Sequence, residues 1–127
     1  MDMSFWKGKK VLMTGHTGFK GTWLTAILNQ YGAKTIGYSL EPLTKPSIFE
    51  LTEMEKNIDS RIGDIRDLKS IKNIINITKP EIIIHMAAQP LVIESYNNPV
   101  YTYETNVIGT VNILEASRFC ENIKSFV

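Results

Sequence analysis

Three glycines at three-residue spacing, Gly15, Gly18 and Gly21, stand between an apolar run and a helical pattern, and they constrain the fold more than any other feature. The run before them, Lys10-Val11-Leu12-Met13-Thr14, reads as a strand covered on both faces. After them, Phe19, Trp23, Leu24, Ile27, Leu28 and Tyr31 recur at three and four residues. This spacing predicts a helix from Gly18 to Tyr31 with one apolar face, ended by Gly32. A strand that turns through glycine into a helix gathers free backbone N–H groups and partial positive charge at one point, which suits a diphosphate. Gly15 is expected to allow the tight turn, Gly18 to remove a Cβ that would collide with a pyrophosphate, and Gly21 to let helix and strand pack closely. The same turn could be purely structural, but its place between strand and helix favours a ligand. The spacing is G-x-x-G-x-x-G rather than G-x-G-x-x-G, and no Walker lysine follows, which argues against a nucleoside-triphosphatase loop. The segment from Thr14 to Gly21 is therefore read as the seat of a dinucleotide, with NAD as the foremost candidate.

The alternation continues along the chain. Ala33 to Ser39 predicts a second strand, completing a right-handed βαβ unit. Pro42, Pro46 and a mixed-charge stretch from Ile48 to Lys56 predict a loop with a short helix at most. A third strand is expected at Ser60 to Asp64, a helix on Leu68, Ile71, Ile74, Ile75 and Ile77 ending before Pro80, and a fourth strand at Glu81 to Met86. A polar loop from Gln89 to Asn98 leads to Pro99, a common first helical residue, and a long helix over Val100 to Asn122; Lys124 to Val127 resembles the start of a fifth strand. Repeated strand-helix-strand units specify an α/β fold, a doubly wound parallel sheet of the Rossmann kind. The expected domain is a single dinucleotide-binding unit over residues 1–127, the amino-terminal part of a longer arrangement that stops after about five strands.

Charge excludes some functions. Fourteen basic and 13 acidic residues leave a formal +1, too little field to recruit nucleic acid or an anionic membrane, so neither partner is expected. The lone cysteine, Cys120, is expected as a buried or half-buried thiol late in a helix, which fits a reducing compartment. Lys7, Lys9 and Lys10 follow the amino terminus with no apolar signal core before them, and the longest apolar run, Ile82 to Ala88, is broken by His85. A cytoplasmic location is expected, and no metal site.

Several polar residues then discriminate. An acid at the end of the second strand would favour NAD and an arginine NADP; Ser39 stands there, so that position leaves the choice open. Lys20 is read as a solvated helix-start residue rather than a phosphate contact. Asp67 is the better cap for the third helix, leaving Asp64 free to accept from an adenine amino group with Ile65 packing on the ring. His85 is read as a hydrogen-bonded core histidine and is not assigned to catalysis.

Together these segments resemble the extended short-chain dehydrogenase/reductases that modify nucleotide sugars, and within them the 4,6-dehydratases. The resemblance rests on Phe5-Trp6-Lys7-Gly8-Lys9-Lys10, the run from Thr14 to Leu24, Gly63-Asp64-Ile65-Arg66-Asp67, the run from His85 to Val92, and Tyr103 to Thr110, and it covers the whole chain. It implies that Gly15, His16, Thr17, Gly18, Phe19, Lys20 and Gly21 surround the pyrophosphate and that Asp64 and Ile65 read adenine. It further implies that Met86, Ala87, Ala88 and Gln89 line the ribose and nicotinamide side, with Thr105 and Asn106 facing the cofactor. Ser39 would sit at the ribose, where many relatives carry an acid. The sugar side would be Pro90, Leu91, Val92, Ser95 and Tyr96. The implied cofactor is NAD and the implied small-molecule substrate CDP-glucose, converted to a 4-keto-6-deoxy sugar for deoxysugar and O-antigen biosynthesis by a full-length homodimer. The tyrosine and lysine of that chemistry belong after the fifth strand, so no catalytic residue is expected here and the chain is expected to be inactive alone. An epimerase or reductase on the same platform, or a non-catalytic dinucleotide-binding module, remains an alternative.

Overall fold

The computed structural model describes residues 3–127. Five strands, β1 (Lys10–Thr14), β2 (Lys34–Ser39), β3 (Asp59–Ile62), β4 (Ile82–His85) and β5 (Ser125–Phe126), form one sheet in the order β3-β2-β1-β4-β5. Every pairing is parallel, as connections through helices require. The order reverses at β1: the chain first builds outward through β2 and β3, then returns to place β4 on the other side. That reversal opens a crevice at the carboxyl ends of β1 and β4, where this class of sheet binds ligands.

Alternation along the strands divides the core between two faces. Leu12, Ile36, Tyr38 and Ile83 pack against Ile71, Ile74 and Ile75 of α3 (Leu68–Thr78) and against Ile113 and Ala116 of α6 (Gly109–Ser117). Val11, Met13 and Ile82 face the other way, onto Leu28 of α1 (Phe19–Gln30), with Trp6 at the margin. The sheet is thus covered on both sides, a Rossmann-type α/β architecture. Asp67 caps α3 by accepting from the Ser70 N–H at 3.1 Å, as its position in the sequence implied.

Four expectations are corrected. The helix face expected from periodicity in α1 is only partly the buried one: Leu28 is buried and Leu24 packs beside it, but Phe19, Trp23 and Ile27 are exposed, and Gly21, Thr22 and Thr25 are buried in their place. The first turns of the helix lie so close to β1 that small residues, Gly21, Thr22 and Thr25, fill the space beneath them, and Leu28 packs on the sheet further along. The segment from Gln89 to Asn98 is not all loop, since Val92–Asn97 form a short helix, α4. The long helix is neither continuous nor as long as expected. Pro99–Tyr103 (α5) passes through a π turn, Glu104–Ile108, into α6, which ends at Ser117, so Cys120 lies in the turn beyond the helix and is half-buried there. The third strand sits at Asp59–Ile62, which moves Gly63 and Asp64 out of the sheet and into the loop after it. Between β2 and β3 lie a one-turn helix, α2 (Ile48–Leu51), closed by a reciprocal Ser47–Glu50 capping box, and a 3₁₀ turn at Met54–Asn57.

Candidate nucleotide site at the end of β1 and β4

The glycine turn fills the mouth of the crevice, and each glycine answers to a different neighbour. Gly15 has φ +76°, and a Cβ there would lie 2.8 Å from the Ala87 nitrogen and 2.9 Å from the Met86 carbonyl carbon. Both the left-handed backbone and the approach of the β4 loop therefore exclude a side chain. A Cβ on Gly21 would run into the Gly15 carbonyl oxygen. Gly18 differs: a Cβ would meet only the Gly15 oxygen, at 3.3 Å, and otherwise point into open space. Apart from that one oxygen no protein atom crowds the position, and a group bound in the open space would be the further reason for a glycine there.

Gly18 is also the N-cap of α1 and, lacking a side chain, leaves the first N–H groups of that helix without a side-chain cap. Twelve residues of helix thus direct an uncapped positive end into the mouth. Thr22 secures the turn from below, its hydroxyl lying 2.9 Å from the Gly18 carbonyl and 3.1 Å from that of His16. Phe19 and Lys20 are exposed at the rim.

His16 and Thr17 turn inward. The His16 ring is fully buried, its Nε2 2.8 Å from the Ser60 hydroxyl and its edge against Phe49 of α2. It occupies a slot under β2 that exists because residue 37 is glycine: a Cβ there would overlap the imidazole. Burial lowers its pKa to about 4. His16 thus meets the mouth through its backbone alone. The Thr17 hydroxyl donates to the Leu40 carbonyl at 2.9 Å, so the Ser39 hydroxyl, 2.9 Å away, donates to Thr17. Ser39 is buried and spent within the protein, with no carboxylate offered at the end of β2.

On the β3 side, Asp64 is not free. Arg66 embraces it with its backbone N–H at 2.8 Å and its guanidinium at 2.6 and 2.9 Å, holding the carboxyl below the usual carboxylate range. Arg66 also reaches Glu104 at 3.3 Å and stacks over Tyr101. The Ile65 side chain is buried against Gly109, where it offers no face to a ring, contrary to the sequence reading. These groups border a cavity of about 470 Å³ lined by Asp64, Arg66, Asp67, Glu104 and Ile108. A larger cavity of about 940 Å³ opens at the opposite end of the strands. Three of its cations are engaged, Arg61 by Asp59, Lys56 by Glu53 and Lys10 by the Thr78 carbonyl, and it lies away from the glycine turn and its uncapped helix entrance.

The β4 side is built from side-chain amides and hydroxyls. Asn106 clamps Gln89, accepting from its N–H at 2.7 Å and donating to its carbonyl at 3.0 Å. The Gln89 side chain donates to Thr102 at 2.9 Å and accepts from the Leu91 N–H at 2.6 Å. Met86 and Ala87 are half-buried and Ala88 is exposed. Thr105, in the π turn, is buried with no partner for its hydroxyl among the described residues. Pro90, Leu91, Val92 and Tyr96 are exposed on the rim around α4, and Ser95 bonds back to the Val92 carbonyl at 2.6 Å. Thr22, Gly37, Thr102 and Thr110 support the site without having been assigned a role in it from the sequence. Gly37 inside a strand was the available signal, since such a glycine marks the close approach of another group.

A parallel sheet in this order, with an uncapped glycine-lined helix entrance at its switch point, defines the Rossmann class of nucleotide-binding domains. Within that class, the chain belongs to the GDP-mannose 4,6 dehydratase family, whose sequence profile matches residues 12–127. It is 51% identical over 127 residues to the CDP-glucose 4,6-dehydratase of Salmonella typhimurium, covering all of this chain and 35% of that protein. Among solved structures, it resembles the Thermus thermophilus UDP-glucose 4-epimerase in complex with NAD, with a TM-score of 0.76 and 28% identity over 86% of this chain and 33% of the other. The UDP-glucose 4-epimerase of Thermotoga maritima with UDP-glucose gives 0.78 and 26% over 92% and 36%. The chain spans about a third of the length of the relatives it matches. Among the described residues no helix is long and apolar enough to cross a membrane, and no cluster of His, Cys, Asp or Glu could hold a metal.

Proposed function

We propose that this chain forms the NAD seat of a CDP-glucose 4,6-dehydratase, acting in the cytoplasm on a sugar nucleotide destined for deoxysugars such as those of O-antigen. The observation that carries the cofactor reading is Gly18, whose absent Cβ borders open space in front of uncapped helix N–H groups. Two further features fit a bound dinucleotide: the orphaned, buried Thr105 hydroxyl, and the β4 loop held open by Asn106. The identity to the Salmonella enzyme favours CDP-glucose over other nucleotide sugars. NAD supplies the hydride acceptor and donor for such a dehydration. In this reading, the residues in hand bind and orient: the α1 entrance takes the pyrophosphate, the backbone from Asp64 to Ile65 takes the adenine side, and Ala87 to Gln89 with Thr105 and Asn106 take the nicotinamide side. The acid-base groups of the sugar chemistry are not assigned to any of the 127 residues. The proposed homodimer would use the exposed apolar stripe Val100, Tyr103, Val107, Val111 and Leu114 along α5 and α6; a monomeric full-length protein in sedimentation would count against it.

Titration calorimetry with NAD tests the cofactor, and Gly18→Val is the decisive variant. It should fold, since its side chain meets little protein, and lose NAD binding. Joined to the carboxy-terminal two thirds of the Salmonella relative, the wild-type chain should yield 4-keto-6-deoxy product from CDP-glucose and the variant none. Unchanged NAD affinity in the variant would refute the placement, and a folded chimera that turns over another nucleotide sugar instead would refute the substrate.

A further inference from the structure

One half-buried titratable side chain, unused by the contacts above, joins the two walls of the mouth. The Thr14 hydroxyl oxygen, at the end of β1, accepts from the N–H groups of Met86 at 3.0 Å and Ala87 at 3.1 Å. With its acceptor capacity so occupied, its proton is directed to Nδ1 of His85, 2.7 Å away. Nδ1 is then an unprotonated acceptor and the ring proton resides on Nε2, which donates to the Thr110 hydroxyl at 3.0 Å. Thr110 passes its own proton to the Asn106 carbonyl at 2.7 Å. Every donor and acceptor in this chain has a single consistent direction. Burial keeps the imidazole neutral by pulling its pKa below the ordinary histidine value.

We propose that His85 is a positioning residue: as the neutral Nε2–H tautomer it braces the strand end from which the glycine turn departs against the π turn that carries Thr105 and Asn106, and so sets the spacing of the two walls of the cofactor mouth. The proposal rests on the reading of that mouth as the NAD seat. His85 acts through Thr14 and Thr110, and its ring needs no contact with cofactor. The opposite tautomer would turn a donor toward Thr14, whose oxygen already serves two N–H groups. A phenyl ring would strand both hydroxyls.

Two measurements on the full 127-residue chain decide the matter. Nitrogen-15 spectra of the histidine rings should show His85 with Nδ1 unprotonated and Nε2 protonated at neutral pH; the other tautomer, or an average of the two, overturns the proposal. NAD titration of the folded protein should show His85→Phe weakened roughly ten-fold, about the worth of one lost hydrogen bond. His85→Asn, which restores an acceptor toward Thr14, should recover part of that loss. A structural role alone would lower the melting temperature of both variants while the folded protein bound NAD as tightly as wild type, and that result also overturns the proposal. Wild-type protein that binds no NAD would instead defeat the cofactor reading, leaving the ring spectra to decide whether the brace exists.

Discussion

The two walls of the mouth are made of different materials. On the α1 side the site consists of absent atoms: Gly15 fits against the Met86–Ala87 backbone, Gly21 against Gly15 itself, and Gly18 against the Gly15 oxygen alone, otherwise facing open space. On the β4 side it consists of added ones, the Asn106 amide, the Gln89 side chain and the hydroxyls of Thr102, Thr105 and Thr110. Backbone against backbone cannot yield, because both partners are fixed by the sheet and the helix. Side-chain hydrogen bonds can lengthen, exchange partners or admit water. The first wall should therefore fail abruptly on substitution and the second by degrees.

The largest effect should come from Gly21→Val. Its Cβ would overlap the Gly15 carbonyl and approach the His16 Cα at 2.8 Å, so α1 must lift from β1 and uncover Val11 and Met13. Overpacking of this kind costs about 1–3 kcal/mol where side chains can adjust, and more where only backbone is available. Urea denaturation should show a loss of at least about 3 kcal/mol or no folded state. A mild effect would erase the contrast between the two walls.

Next comes the acid response of His16, which ties the rigid wall to the core. Its pKa is about 4 when folded, against roughly 6.5 in an unfolded chain. The folded state thus resists protonation more than the unfolded one. The stability that follows is fully present above about pH 6.5, falls away as pH drops toward 4, and changes no further below that. The loss should approach about 3 kcal/mol across that window. His85 shifts in the same direction, so a His16→Gln variant is needed to isolate the His16 share. Denaturation curves of the two proteins that stay parallel between pH 6.5 and 4 would show that the ring is hydrated, and the wall less rigid than its contacts indicate.

The same difference explains what could be seen in the sequence. The strands were legible because continuous apolar runs such as Ile82-Ile83-Ile84 have few other homes, and the glycine wall because absent side chains leave a spacing. The face of α1 is legible only in part, at Leu24 and Leu28, because periodicity records where large residues recur, whereas a helix pressed onto a sheet at its first turns buries small ones: the stripe Gly21, Thr22, Thr25 is the better signal there. The hydrogen-bonded wall was hardly legible. Nothing local marks Asn106 as a partner of Gln89, 17 residues away, or Thr14 as a partner of His85, 71 residues away. The π turn has no composition of its own, and α4 begins after Pro90-Leu91 with no side-chain cap. A ten-residue loop from Gln89 to Asn98 was nevertheless long for a compact α/β unit, and that length hinted at a further element.

The smallest effect should come from Asn106→Ala, in the yielding wall. The variant removes both hydrogen bonds to the Gln89 backbone and leaves a buried N–H and carbonyl without partners, a loss of about 1–3 kcal/mol if the site stays dry. Ala88 and Pro90 beside it are exposed, so water can enter and hold the cost near the low end. Thr102 still fixes the Gln89 side chain, and His85 still anchors the strand end. The domain should therefore remain folded, with NAD affinity reduced but measurable by calorimetry. Asn106→Asp should fall between wild type and the alanine variant, since a carboxylate still accepts from the Gln89 N–H while opposing an oxygen to its carbonyl. If Asn106→Ala instead unfolds the chain as Gly21→Val does, the amide is holding the fold as well as the mouth, and the two walls differ in composition but not in tolerance.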